Sequence, residues 1–114
     1  MITNKTKKTI MAEKETIISS FFGKVIGFMF SFSPRPLVFA FNRESKQQLH
    51  MMFVFFPIDL IFLDAKMKVV ELKGNFKPFT FYNSKQKAKY VIELSAGMIK
   101  KSRTGIGDLV TFKR

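Results

Sequence analysis

The chain has 114 residues, 46% of them hydrophobic and 15 of them Phe, and a formal net charge of +12. That length suits one domain, and that much bulky apolar material excludes a wholly disordered chain, because its burial can offset chain entropy. With no Cys, disulfides, thiol redox chemistry, Cys-type zinc sites and thiol nucleophiles are excluded together.

The positive charge serves first to keep a Phe-rich protein soluble, and it also suits an anionic partner such as nucleic acid, a membrane surface or an acidic protein. The basic clusters Lys5–Lys8, Lys85–Lys89 and Lys100–Arg103 are short, and Arg is scarce beside Lys. No dense block of the nucleic-acid-tail kind is present. The apolar run Ile17–Phe41 is broken by Lys24, Pro34, Arg35 and Pro36, and Leu49–Leu63 contains His50, Pro57 and Asp59. A spanning helix needs roughly 20 apolar residues, so no transmembrane segment is expected. Glu13 and Glu15 separate the basic start from the apolar run, which does not fit a signal peptide. A cytoplasmic monomer or weak dimer is the expectation.

Taken in chain order, Met1–Lys8 reads as a flexible basic start and residues 9–114 as one domain. Thr9–Ile18 reads as one or two strands. Over Ser20–Met29, Phe21, Phe22, Val25, Ile26 and Met29 share one helical face, with Ser19 or Ser20 as cap. Ser31–Pro36 is a loop, because each proline disfavours helix in the residue before it. Leu37–Phe41 is a short strand, followed by a polar connection over Asn42–Gln48. Pro57 splits the next apolar stretch into strands Met51–Phe55 and Leu60–Leu63. Asp64–Lys66 forms a hairpin turn, Met67–Leu72 returns, and Gly74–Asn75 is a turn. Phe76–Phe81 is an edge strand or extended loop, and Tyr82–Ala88 is polar and flexible.

Lys89–Leu94 alternates, with Tyr90, Ile92 and Leu94 on the buried side. Ser95 caps a short helix over Ala96–Lys101, and Asp108–Phe112 is the last strand. About seven strands and two short helices point to a mainly β (α+β) fold, a compact β-sandwich or half-open barrel.

The runs VIGFMFS (Val25–Ser31), PIDLIFLDAKMKVVEL (Pro57–Leu72) and AKYVIELSAGMIKKSRTGIGDLVTF (Ala88–Phe112) occur in that order. Together they resemble the GLMFR, PLD-plus-strand and YVLEL…GD…F segments of the family called domain of unknown function 192, from about Ile17 to Phe112. The resemblance implies a small, mainly β protein and brings no agreed activity, cofactor or partner. Where much of that family shows FWMKNT, this chain reads Leu49-His50-Met51-Met52-Phe53-Val54. A polar site built on the missing Trp, Lys and Asn is therefore not carried over. Pro57 and Asp59 do occupy the family's Pro and Asp positions.

Asp59 is the most informative polar residue, since a carboxylate in such apolar company must be paired or hydrogen-bonded. It reads first as a turn-fixing Asp that accepts backbone N–H bonds, and second as a site carboxylate. His50, the sole His, cannot build a multi-His metal site, although a proton-transfer pair with Asp59 is conceivable. Glu93 with Asp108 offers too few oxygens for Ca²⁺, and no metal or cofactor is expected. No serine-hydrolase elbow or phosphate loop is present. Phe76, Phe79, Phe81 and Tyr82 alternate with Lys73, Lys77 and Lys85, the composition of a single-strand nucleic-acid grip and equally of an edge strand in a Phe- and Lys-rich chain.

The favoured reading is a non-enzymatic binding or accessory domain with ligand candidates Asp59, His50, Phe79, Tyr82 and Glu93. One alternative is an enzyme using Asp59 in a hydrolytic or carbohydrate-directed reaction. The other is a nucleic-acid binder using Lys85, Lys87, Lys89, Lys100, Lys101 and Arg103.

Overall fold

The structure, a computed structural model, describes residues 1–19, 35–51 and 54–113. The helix expected over Ser20–Met29 lies outside the described residues, as does most of the loop expected over Ser31–Pro36. The described elements are strands β1 (Ile2–Asn4), β2 (Thr9–Ala12), β3 (Thr16–Ile18), β4 (Leu37–Ser45), β5 (Gln48–His50), β6 (Ile58–Leu63), β7 (Val69–Phe76), β8 (Phe81–Asn83) and β9 (Ala88–Ser95), then helix α1 (Met98–Lys101) and strand β10 (Val110–Thr111). The fold is mainly β, and its sheets do not close into a barrel.

A five-stranded sheet of order β3-β4-β9-β6-β7 forms the centre. Its pairs are antiparallel except β3 with β4, which runs parallel. β6 is buried at every residue, and β9 from Tyr90 to Leu94, because both faces of the sheet are covered. Side chains alternate across a strand, so the two faces build separate cores. Val38, Ile61, Leu63, Tyr90, Ile92 and Leu94 pack with Ile2, Met11 and Val110 of the three-stranded sheet β10-β1-β2. Leu37, Phe39, Ile58, Leu60, Phe62 and Val91 pack on the other side with Met51, Val54 and Phe76, and the ribbon β5–β8 adds Leu49 and Tyr82 there.

Several boundaries differ from the sequence reading. The first residues do not fray: Ile2 and Asn4 are fully buried, since β1 sits between β2 and β10. β4 runs on to Ser45, through the supposed polar connection, and Gln48–His50 supplies β5. Met51, Val54 and Phe55 carry no strand. Gly74–Asn75 lies inside β7, where three residues of β7 step past two of β6 (Ile58↔Phe76, Leu60↔Lys73). That shift is a bulge, the usual device for adding a residue to one strand. Phe81–Asn83 pairs with β5 and is not a free segment. β9 is a two-faced central strand, so Val91 and Glu93 are buried along with Tyr90, Ile92 and Leu94.

The three-stranded sheet is locked by polar contacts. Asn4 Nδ2 donates to Thr104 Oγ1 and Asp108 Oδ2, both at 3.0 Å. Lys7 Nζ lies 2.8 Å from Asp108 Oδ2, and Gly105 N–H donates to the same oxygen at 2.9 Å. Burial alone would raise the Asp108 carboxyl, but the bonds from Asn4, Lys7 and Gly105 and the Lys7 charge outweigh it and hold the group near 2 instead of the usual 3.8. A depressed folded value contributes stability above the unfolded value, lost as pH falls through the folded one. Urea unfolding should therefore show stability dropping between about pH 4 and pH 2, and Asp108→Asn should flatten that drop while lowering stability at neutral pH.

Candidate functional site

Asp59 enters the site from the start of buried strand β6, as its second residue, and is itself 2% exposed. It alternates with Ile58 and Leu60, so it lies on the face covered by the three-stranded sheet. Its Oδ1 accepts Asn75 N–H at 3.0 Å, and its Oδ2 accepts Gly97 N–H at 3.1 Å and Ile99 N–H at 2.8 Å. One carboxylate thus ties the bulge of β7 to the start of α1. Asn75 takes φ +50° and Gly97 φ +96°, left-handed values that Asn and Gly accept most readily. Gly97, not Ser95, is the cap of α1, and no side chain of α1's own loop bonds its first turn. Asp59 supplies that bond from a distant strand, and its charge also suits the positive end of the helix.

The residues gathered by Asp59 enclose a groove of about 700 Å³ at one end of the central sheet. Gly74 and Asn75 form one wall, Ala96, Gly97 and Ile99 the other, and Lys100, Arg103 and Thr104 close it. Lys100 and Arg103 are exposed. Against them stands the Asp59 carboxylate, whose bonds among the described residues all come from backbone N–H groups. Two cations against one buried anion leave the groove with a net charge of about +1.

The other candidates lie elsewhere. His50 is exposed on β5, opposite Phe81 of β8; that ribbon covers the face away from Asp59, so the two are not brought together. Phe79, 47% exposed, meets the Phe55 ring edge-on at 5.8 Å. Tyr82 packs on Phe62 and Phe76 and donates its hydroxyl to Glu71 Oε2. Burial, with the Glu71 bond and charge added, pushes its phenol up to about 12. Lys85, Lys87 and Lys89 lie before and at the start of β9, whereas Lys100, Lys101 and Arg103 follow its far end. Seven residue steps of strand separate those ends by about 23 Å.

Glu93 sits between Leu37 and Leu60 in the sheet register. Asp108, which the sequence reading considered beside it, belongs to the lock of the three-stranded sheet, so the two are not brought together. Among the described residues no hydrogen bond reaches the Glu93 side chain, and desolvation pushes its carboxyl up to about 8.

Sequence reasoning missed Glu71, which is 8% exposed and accepts the Lys85 and Gln86 N–H groups at 2.8 Å besides the Tyr82 hydroxyl. In β7, Val69 and Glu71 are more buried than Val70 and Leu72, and nothing in the local sequence signals that an acid takes the more buried side.

Fold and groove define a small β module with a ligand-sized recess beside a structural carboxylate, and among the described residues no three His, Cys, Asp or Glu side chains form a metal-binding group. No helix among them is long and apolar enough to cross a membrane. The chain belongs to the family described as domain of unknown function 192, Uncharacterized ACR, whose model matches residues 2–112. It is 35% identical over 116 residues to a UPF0127 protein of Thermococcus sibiricus, covering 99% of this chain and 75% of that one. A UPF0127 protein of Pyrococcus horikoshii is 31% identical over 112 residues, 96% of each chain. The crystal structure of a protein of unknown function from Novosphingobium aromaticivorans superposes with a TM-score of 0.80 at 19% identity, covering 86% of this chain and 74% of that one. The last likeness concerns the fold alone. The family brings no assignable reaction.

Two predictions follow from these carboxylates. Asp59→Ala should cost about 3 kcal/mol, the scale of lost bonds to a charged acceptor, measured by urea unfolding, with faster hydrogen exchange at Asn75, Gly97 and Ile99. For Glu93 the folded value lies above the usual 4.5. The folded chain then holds a proton that the unfolded chain releases, so stability should fall as pH rises from about 4.5 to 8, by up to a few kcal/mol. Glu93→Gln should remove that fall.

Proposed function

We propose that the chain is a binding or accessory module with no reaction of its own, and that its ligand is a small polar molecule carrying one carboxylate or phosphate group. The observation that carries this reading is the groove beside Asp59, where Lys100 and Arg103 stand at the opening and the Gly74–Asn75 and Ala96–Gly97 segments wall the interior. Its size falls within the range of small-molecule sites. An acid or base role for Asp59 is disfavoured because three main-chain N–H groups already occupy its oxygens. A group that must take or give a proton needs a lone pair within reach of substrate. Asp59 instead holds the two walls apart at a fixed spacing.

The test is an amide-resolved NMR titration with inorganic phosphate and with citrate. Saturable shifts should centre on Asn75, Gly97 and Ile99, and the Lys100→Ala/Arg103→Ala double variant should lose them. Shifts that are absent, or that centre away from the groove, would overturn the reading.

A further inference from the structure

A second surface lies on the opposite side of β7, where two shallow clefts meet at Tyr82. One, of about 230 Å³, is lined by Lys73, Lys77, Phe81 and Tyr82 among others; the next, of about 370 Å³, runs on past Tyr82 to Lys85 and Ile106. Phe81 is 72% exposed and Ile106 64%. Large apolar groups left in water beside one another mark interaction surfaces more often than scattered ones do. Phe79 and Phe55, paired with each other, are a further exposed couple at 47% and 51% exposure. Phe79 holds a left-handed backbone, φ +59°, with its N–H donating to Met51 O at 2.7 Å. A bulky residue pays for that conformation, and the outcome is a ring directed to the surface instead of the core.

The charge around these rings is of one sign. Lys73, Lys77 and Lys85 flank the clefts. Glu71, the one acid lining them, has its carboxylate committed to Tyr82 and to the Lys85 and Gln86 N–H groups. The Lys73 ammonium lies 5.7 Å from the centre of the Tyr82 ring, a cation–π distance, which holds that charge at the junction of the clefts. The occupant is therefore an anionic polymer that also offers flat apolar faces. An acidic peptide added as a strand to the outer edge of β7 suits the surface less well, because that strand shifts register twice against β6 and bulged edges resist strand addition.

We propose that the Phe81–Tyr82 clefts bind single-stranded nucleic acid, with a base stacked on Phe81 and neighbouring phosphates met by Lys73, Lys77 and Lys85. This combination of aromatic platform and lysine track is the physical requirement for sequence-tolerant single-strand binding. It does not rest on the groove beside Asp59, from which it shares only Asn75 as a lining residue.

Fluorescence anisotropy with a short fluorescein-labelled oligo(dT) tests it. Binding should appear at low salt and weaken with a log–log salt slope of about −2 for three lysine–phosphate contacts. Phe81→Ala should weaken it about tenfold, the scale of one lost stacking contact; so exposed a side chain can be removed without loss of fold, which thermal unfolding would check. Lys77→Ala should weaken binding and make the slope shallower. The proposal is overturned by absence of binding at low salt, or by wild-type affinity in both variants. It is equally overturned if poly-glutamate, a DNA duplex or phosphatidylserine vesicles compete as well as unlabelled oligo(dT), since the surface would then read charge and not unstacked bases.

Discussion

A carboxylate set in a strand whose every residue is buried must be matched by donors or lose its charge, and at Asp59 the match comes entirely from main-chain N–H groups. That requirement orders its surroundings. Asn75 can present its N–H only because β7 bulges, and Gly97 and Ile99 can present theirs only because the chain turns sharply before α1. The groove is the space left between those two obligations. An Asp, with a short side chain and two acceptor oxygens, reaches both walls at once.

Glu93, one strand away, shows the opposite solution. It lies opposite Leu60 on β6, facing the other core, with no described donor. Its charge is suppressed by desolvation, which sets its titration near 8. Two acids in one sheet are thus handled differently, Asp59 by three main-chain hydrogen bonds and Glu93 by keeping its proton. Tyr82 and Glu71 form a third arrangement, in which an acid accepts from a phenol and from two main-chain groups and so fixes the connection between β8 and β9.

Much of this was readable beforehand. The strand after Pro57 did form, although Met51, Val54 and Phe55 before it carry none; the alternation of Tyr90, Ile92 and Leu94 did mark a strand, and the apolar company of Asp59 did demand main-chain partners for it. What escaped was decided by contacts distant in sequence. Nothing local says that Ile2 and Asn4 will be buried, because Asn4 meets Val110 and Asp108 and Ile2 packs in the same core as Val110. Met67–Leu72 was legible as a returning strand, but not that Glu71 would be held inward by Tyr82 and the Lys85–Gln86 backbone. Ser95 looks like the better cap, yet the cap bond comes from Asp59, nearly forty residues earlier. The groove itself has no sequence signature, because its walls come from three separate segments.

The Asn4–Asp108 bond joins residues 104 positions apart in the chain, and β1 pairs with β10 across a slightly wider interval. A ribosome releases the chain from its amino end, so Ile2–Asn4 must wait, half-matched beside β2, until Val110 and Thr111 have emerged. The central sheet can assemble earlier, yet its Ile61–Ile92 face keeps an uncovered margin until β10 arrives. For that interval the nascent chain keeps a wet apolar surface, and covering it waits on β10.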